Sequence, residues 1–441
     1  MSDQGRPKVA IERCAVDASD DAVYAAVSRA VELIGGVPDV VRTAKAILIK
    51  PNYVGVIFKS ADHEVRLTAG GRQAHNTEPA VTEAVVRLVR EANPGATIWL
   101  GEGMDLPNHV PGESQALGGA AAPAPHQISG QGGGPRTSAD VFRFMRAAHL
   151  PEKYGVRLVD FNAGEDADFV EVPMPGGGLI NKTLRVRREV AEADTVVSVA
   201  KLKCHQTAGV TLTTKNLFGL LPRRFHGSRN RGFMHQNAFR LMRTFVDVNT
   251  AFRQGLSVLD GLVGTTGGMN GDPLEVGCVL AGTNHVATDA VAMRLMGFDP
   301  AADFPQAPFL ISENHIRLAE RRGLGTTDPS QIELLGERPE AFGARFETRP
   351  DQGFSTEIAG QIIRAAREQA AVYLQKESEI VREHRGRFVY VVDGRVVASA
   401  ATIADAANLR PEWQRDHGYG LAVWAVPSEE QRERLETYVS G

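Results

Sequence analysis

The chain has 441 residues, a formal net charge of −4 and 43% hydrophobic residues, which is typical of a globular protein. This charge balance offers no general attraction to nucleic acid or to acidic membranes. The N-terminus lacks the apolar run of a signal peptide, and no stretch approaches the roughly 18 apolar residues of a membrane span. The few cysteines (Cys14, Cys204 and Cys278) are far apart, which favours a reducing compartment. We therefore expect a cytoplasmic protein without a membrane segment.

Short apolar runs alternate with helical patterns through about residue 300. The predicted strands are Lys8–Cys14, Ala46–Ile49, Thr97–Leu100, Val156–Val159, Thr195–Ala200, Leu256–Leu259 and Val276–Ala281. The predicted helices are Asp20–Ile34, Glu78–Ala92, His235–Arg253 and Val286–Met296. This rhythm predicts an α/β fold with largely parallel sheets flanked by helices. We expect residues 1–350 to form two such lobes, with a break near residue 190.

Two regions depart from that rhythm. Residues 104–138 are rich in Gly, Ala and Pro, so they predict a flexible loop or lid, or else a disordered surface insertion. After about residue 351 a long helix, Thr356–Glu383, precedes two β-rich runs joined by Asp393-Gly394, a strong hairpin signal. Residues 351–441 are therefore predicted to form a small α+β appendage.

Polar residues follow most of the predicted strands. Ligands of open α/β sheets bind beyond the carboxyl ends of the strands, so these residues predict one lined cleft. They are Lys50 and Asn52, Glu102, Asp160 and Asn162, Lys201, Lys203 and His205, and Asp260. The alternative is that polar residues simply surface where strands end.

The densest segment is Val197–Pro222, VSVAKLKCHQTAGVTLTTKNLFGLLP. Side chains alternate along a strand, so Lys201, Lys203 and His205 should share one side while Cys204 faces the core. Two ammonium groups and an imidazole on one face would suit a carboxylate or a phosphate. The alternative is a solvated edge with capping threonines.

A divalent metal is a further candidate ligand. Its side chains would come from the set Glu102, His205, Asp260 and Asp289. The spacing matches no standard ligand pattern, and a structural, hydrogen-bonded histidine is the alternative.

Several motifs resemble a bacterial and archaeal family. They are KPN at Lys50–Asn52, TEP at Thr77–Pro79, GEG at Gly101–Gly103, the central VVSVAKLKCH…GVTLTTKNLFG, LDGLVG…GDP at Leu259–Pro273 and LAGTNHVATDAVAMRLMGF at Leu280–Phe298. The family is known as domain of unknown function family 362, and the resemblance runs from about Val9 to Pro300. Many members carry ferredoxin-like cysteine clusters, which implies iron–sulfur chemistry. This chain has no such cluster, so we expect no iron–sulfur cluster from it alone. The tail Glu377–Ala406 looks like a second small domain of unknown function.

Our first hypothesis is an enzyme that acts on a small anionic substrate in a cleft between the lobes. The predicted catalytic residues are His205, Lys203 and Lys215, and the predicted substrate-binding residues are Lys50, Asn52, Thr77, Lys201, Gly209 and Asn216. The carboxylates Glu102, Asp260 and Asp289 would pair with these cations or hold the metal. The reaction class stays open between an isomerase or lyase and a metal-assisted hydrolase.

The alternative hypothesis is a non-catalytic carrier of a metal or an anionic metabolite. Nucleic-acid binding through Arg223, Arg224, Arg229 and Arg231 is disfavoured, because the chain is acidic overall and aromatic residues are not interleaved with these arginines. Oligomerisation stays open.

Overall fold

The computed structural model describes residues 5–53, 68–103, 138–222, 225, 238–268, 271–349, 356–401, 409, 412–426, 432, 435, 436 and 439. The predicted loop at residues 104–138 lies outside this part apart from Ser138, and so do the four arginines considered for nucleic acid. None of the helices in the described ranges is both long enough and apolar enough to span a bilayer.

The regular elements follow the predicted alternation closely. The strands are β1 (Lys8–Arg13), β2 (Ala46–Pro51), β3 (Thr68–Ala69), β4 (Arg72–Gln73), β5 (Thr97–Glu102), β6 (Arg157–Asp160), β7 (Phe169–Pro173), β8 (Thr183–Arg187), β9 (Thr195–His205), β10 (Gly209–Val210), β11 (Gln254–Thr266), β12 (Asp272–Gly282), β13 (Glu333–Gly336), β14 (Phe388–Val392), β15 (Arg395–Ala400) and β16 (Leu421–Trp424). The α-helices are α1 (Asp20–Leu33), α2 (Asp39–Arg42), α3 (Pro79–Ala92), α4 (Ser138–Phe144), α5 (Leu150–Tyr154), α6 (Arg188–Glu192), α7 (Leu212–Asn216), α8 (Ala238–Ala251), α9 (His285–Leu295), α10 (His315–Arg321) and α11 (Thr356–His384). Short 3₁₀ turns cover Asp166–Asp168, Leu217–Leu220, Pro329–Gln331 and Pro339–Phe342.

A nine-stranded mixed sheet forms the centre of the protein. Its order is β13-β1-β12-β11-β9-β2-β5-β6, and β10 pairs with β9 at one side. The strand β12 runs antiparallel to both of its neighbours, whereas the pairs from β11 through β9, β2 and β5 to β6 are parallel. The predicted α/β class is therefore confirmed.

Strands from both sides of residue 190 join this one sheet. The early strand β1 lies between β13 and β12, and the early strand β2 lies against β9. The lobe break near residue 190 and the boundary at residue 351 remain predictions.

Helices cover the sheet on both faces, because successive side chains of each strand point to opposite sides. On one face Ile47, Ile49 and Val197 pack with the apolar residues of α1 and α3. On the other face Leu48 and Leu202 pack with residues of α8 and α9. The strands are buried on both sides, which explains their continuous apolar runs.

The C-terminal residues form a separate three-stranded antiparallel sheet, β15-β14-β16, beside the long helix α11. Asp393 and Gly394 join β14 to β15 with positive φ angles of 46° and 71°, as a tight hairpin turn requires. The predicted helix and hairpin are both present. Ile180 packs in the same apolar cluster as Ile363 and Tyr373 of α11.

Candidate active site

The strand β9 runs five residues beyond its predicted end at Ala200 and includes Lys201, Lys203 and His205. The Nζ atoms of Lys201 and Lys203 donate to the backbone carbonyls of Gln73 and His75, at 2.6 Å and 2.9 Å. Both lysines thus point toward one segment of chain. Leu202 belongs to the core cluster on the other face.

Cys204 is fully buried in that same cluster. Burial raises the pKa of its thiol to about 12. A thiol with so high a pKa is a poor nucleophile at neutral pH.

Lys50 and Glu102 form a buried ion pair at the ends of β2 and β5. The Lys50 Nζ lies 2.5 Å from Glu102 Oε2, and Lys50 also donates to the carbonyl of Pro51 at 2.7 Å. The carboxylate of Glu102 accepts two further hydrogen bonds, from the backbone N–H groups of Tyr53 and Gly103. The charge of Lys50 is therefore balanced within the fold.

Gly219 closes over this ion pair. A Cβ atom at this position would lie 2.3 Å from Glu102 Oε1 and 2.8 Å from Lys50 Nζ. Only a glycine lets the 3₁₀ turn Leu217–Leu220 approach the pair so closely.

Three of the predicted substrate-binding residues tie neighbouring elements together. Asn216 donates from Nδ2 to the Lys50 carbonyl and to Ser198 Oγ, and its Oδ1 accepts from Asn52 Nδ2 at 3.0 Å. Thr77 donates its hydroxyl to the Val199 carbonyl at 2.8 Å and accepts from the backbone of Asn52 at 2.9 Å. These contacts hold β2, β9 and α7 in place. Their part in substrate binding remains a prediction.

Lys201 forms a second buried ion pair, with Asp260 of β11. The Lys201 Nζ lies 2.7 Å from Asp260 Oδ2, and both side chains are fully buried. Asp260 also accepts from the backbone N–H groups of Glu78 and Leu262, at 2.7 Å and 3.0 Å. This carboxylate therefore has partners for both of its oxygens.

Lys203 differs from these two lysines. Its side chain is 1% exposed, and its hydrogen bond within the described residues goes to a backbone carbonyl, that of His75. No carboxylate pairs with it there. Burial, and then the positive charge of Lys215, lower the pKa of Lys203 well below its ordinary value. A buried ammonium without a counter-ion costs several kcal/mol, so this amine is either neutral or in need of an anion.

Thr211 stands across from Lys203. Its backbone N–H donates to the Lys203 carbonyl at 2.9 Å, which continues the antiparallel register of β9 and β10. Its hydroxyl is buried and has no hydrogen-bond partner in the described ranges. A buried amine and a buried hydroxyl thus occur on facing residues.

The hydrogen bonds of His205 indicate which tautomer its neutral ring adopts. Its Nδ1 accepts from the backbone N–H groups of Thr207 and Ala208, both at 3.1 Å. A nitrogen that accepts two N–H groups has no proton of its own, so the neutral ring carries its proton on Nε2. His205 is thereby set up as a hydrogen-bond donor through Nε2.

Lys215 lies on α7, and its Nζ is 5.7 Å from the centre of the Phe245 ring. Asp289 of α9 holds the start of that helix by accepting from the backbone N–H groups of Thr213 and Thr214, at 2.7 Å and 2.8 Å. Burial raises the pKa of Asp289 to about 6. Asp289 therefore positions Lys215 by fixing the backbone of α7.

The sequence analysis missed His315, the first residue of α10. Its ring lies between those of Phe245 and Phe309, with centroid distances of 5.3 Å and 6.0 Å. The residue is fully buried, and neither ring nitrogen has a hydrogen-bond partner in the described part of the chain. Burial, and then the charge of Lys215, lower the pKa of His315 to about 3, which keeps it neutral.

Gly209 lets the segment that carries Phe309 and His315 pack closely against the central motif, Val197–Pro222. Its φ of +72° suits a glycine, and a Cβ atom there would lie 2.8 Å from Phe309 Cδ1. The polar run Ser312–His315 is visible in the sequence, but nothing local connects it with Lys215. We call Lys203, Thr211, Lys215 and His315 the lysine cluster.

The predicted metal ligands are engaged separately. Within the described ranges no group of three or more His, Cys, Asp or Glu side chains could hold a metal ion. Glu102 pairs with Lys50 and Asp260 pairs with Lys201, while Asp289 accepts hydrogen bonds at the start of α7. The structure does not gather them around His205.

These features define an α/β protein with a buried lysine site at the carboxyl ends of its parallel strands. The chain belongs to the family described as Domain of unknown function (DUF362), whose profile matches residues 47–294. The match spans all of the predicted site residues, while His315 lies beyond it.

This chain can be compared with a curated relative and with a solved structure. The thylakoid-associated protein sll1697 of Synechocystis sp. is 27% identical over 281 residues, which is 61% of this chain and 68% of that protein. The lactate racemase apoprotein from Thermoanaerobacterium thermosaccharolyticum matches with a TM-score of 0.33 and 12% identity, over 66% of this chain and 57% of that one. The relative is described as thylakoid-associated, and the cytoplasmic location of this chain remains a prediction.

Proposed function

We propose that this protein is an enzyme that binds a small carboxylate or phosphate at the lysine cluster and acts on it by acid–base chemistry. The observation that carries the proposal is the contrast among three buried lysines. Lys50 and Lys201 each have a carboxylate within 2.7 Å, whereas Lys203 has only the His75 carbonyl among the described residues. The described residues supply no carboxylate to Lys203, so a bound anion would balance the charge that Lys203 acquires when it takes up a proton.

The neighbours of Lys203 favour the same kind of ligand. Lys215 is close enough to lower the pKa of Lys203, so its positive charge would also act on an anion bound at Lys203. The buried hydroxyl of Thr211 could donate to an anion oxygen or accept from a ligand hydroxyl. Other predicted residues would support this site by holding the surrounding strands and helix in place. They are Lys50, Asn52, Thr77, Lys201 and Asn216.

We assign acid–base roles to Lys203 and His205 from the hydrogen bonds and burial of their side chains. A neutral Lys203 amine can take a proton from a carbon next to a carboxylate and hold it at Nζ as an ammonium. The Nε2–H of His205 would donate to oxygen that gains negative charge, and Lys215 would stabilise that charge. This assignment favours an isomerase or a lyase, and the metal-assisted alternative remains a prediction.

Anion-dependent unfolding tests the binding site. Thermal unfolding of the wild type should shift upward with added phosphate or with a small carboxylate such as pyruvate, since a ligand that binds only the folded state stabilises it. Lys203→Met should abolish the shift. Lys45→Met removes an exposed lysine and should keep it. An equal shift in Lys203→Met would remove Lys203 from the site.

The carrier hypothesis makes a different prediction. Because Lys203 is almost entirely buried, a bound molecule could be retained through purification. Mass spectrometry of molecules released on denaturation would identify such a ligand. A ligand that comes back unaltered after incubation with the protein would favour a carrier, and conversion to a product would favour the enzyme.

A further inference from the structure

We propose that Lys203 is an amine nucleophile that forms an imine with the carbonyl group of a small oxo acid. This rests on the proposed function, and it names the substrate class: a molecule with both a carboxylate and a ketone or aldehyde. The carboxylate would be held by the positive charge around the cluster, and the carbonyl carbon would face Lys203 Nζ.

The hydrogen bonds of Lys203 favour a neutral amine. Lys50 and Lys201 donate to carboxylates, which stabilise the ammonium form and remove the lone pair that a nucleophile needs. Lys203 donates to a single amide carbonyl, at 2.9 Å. A neutral amine can make that hydrogen bond with one N–H and keep its lone pair for a carbonyl carbon.

The charged side chains around Lys203 also favour its neutral form. The positive charges of Lys215, Lys201 and Lys50 all oppose protonation of Lys203, and Glu102 is the opposing negative group. Lysines activated for imine formation are typically desolvated or lie beside another cation, and Lys203 meets both conditions. Since Lys50 and Lys201 are already paired with carboxylates, Lys215 is the cation that would attract the carboxylate of the oxo acid.

The residue that pairs with Lys203 across the strands carries a buried hydroxyl. The Thr211 hydroxyl lies on the residue opposite Lys203, and it is buried without a hydrogen-bond partner among the described residues. A hydroxyl at this position can hydrogen-bond to the carbonyl oxygen as it becomes a hydroxyl.

The step balances without a further reactant. The amine lone pair forms a bond to the carbonyl carbon, and the C=O π bond opens to give a carbinolamine. The oxygen then leaves as water with the two protons that the nitrogen loses, and a C=N bond remains. No oxidant or reductant is consumed.

Reductive trapping tests the proposal. The full-length protein is incubated with pyruvate or 2-oxoglutarate, treated with sodium borohydride, digested and mapped by mass spectrometry. Borohydride reduces an imine to a stable secondary amine, so Lys203 should carry the mass of the reduced adduct. Exposed Lys45 in the same digest reports non-specific labelling. The lowered pKa gives Lys203 a larger neutral fraction than Lys45, so Lys203 should be labelled at least about tenfold more than Lys45.

The outcomes separate this proposal from the one on which it rests. An adduct at Lys203 that excess propionate suppresses, and that is missing in Lys203→Arg, supports the imine. Propionate has the carboxylate but no carbonyl. If both oxo acids stabilise the fold but label Lys203 no more than Lys45, the imine is refuted and the anion site stands. If they neither stabilise the fold nor label Lys203, both proposals fail. Mapping of the wild type decides between these outcomes even if the variant does not fold.

Discussion

At the scale of single residues, the partner of each buried lysine decides its role. Lys50 and Lys201 are cations neutralised by Glu102 and Asp260, and such pairs hold a fold together at the cost of desolvation. Lys203 carries the same desolvation without a carboxylate in the described ranges. Residues that lower the stability of a fold often have a functional role, and we expect such a role for Lys203.

The stability of the wild type should depend on pH through Lys203. Burial lowers the pKa of Lys203 in the folded state, so the unfolded state binds more protons between that value and the ordinary lysine value near 10.4. Stability then rises with pH through this window. At neutral pH Lys203→Met should be more stable than the wild type by about 1.4 kcal/mol for each unit of pKa lowering, and the difference should shrink toward pH 10.

Urea unfolding at pH 7 and pH 9 measures this difference. Lys45→Met is the control, since Lys45 is exposed and its replacement should show no such pH dependence. A constant difference between Lys203→Met and the wild type would mean that Lys203 keeps an ordinary pKa.

At the scale of elements, the site depends on short turns as much as on strands. The 3₁₀ turn Leu217–Leu220 covers the Lys50–Glu102 pair, and α7 depends on Asp289 of a distant helix. These elements are four and five residues long, too short to be stable alone. Tertiary contacts therefore hold them in place.

Gly219→Ala should destabilise the fold by about 1–3 kcal/mol, because the added methyl group would collide with Glu102 and Lys50. Gly95→Ala is the matched control, since a Cβ there meets nothing within 4 Å. Chemical denaturation of both variants gives the comparison. Equal stabilities would show that the turn moves away from the ion pair at little cost.

At the scale of the whole molecule, Glu313 connects the C-terminal helix with the site. It lies two residues before His315 and contacts Arg243 of α8 at 2.5 Å and Arg367 of α11 at 2.9 Å. The segment that carries His315 is thus held from both sides. Through Arg367, α11 therefore contributes to the position of the segment that carries His315.

The two arginines should differ in their contribution to stability. Arg243 is 2% exposed, so Arg243→Leu leaves a buried carboxylate less compensated and should cost about 3–5 kcal/mol. Arg367 is 40% exposed, so Arg367→Leu should cost about 1 kcal/mol or less. Urea unfolding of both variants checks the order. A larger loss in Arg367→Leu would mean that the C-terminal helix is the main support of Glu313.

The elements and most of the residues at the strand ends were predictable from local patterns in the sequence. Strands such as β2 and β5 and helices such as α1 and α9 are defined by apolar periodicity, which is a local property. Side-chain alternation also separated Lys203 from Cys204 correctly, because it depends only on an extended backbone.

Which of those residues neutralise one another depends on the three-dimensional fold and could not be predicted from local patterns. Glu102 lies 52 residues from Lys50, and Asp260 lies 59 residues from Lys201. His315 reaches the site through the packing of Phe245 and Phe309, which no local pattern records. Charge compensation and desolvation depend on distances in space. The sequence could therefore indicate Lys203 as a candidate, but it could not show that Lys203, unlike Lys50 and Lys201, lacks a carboxylate partner among the described residues.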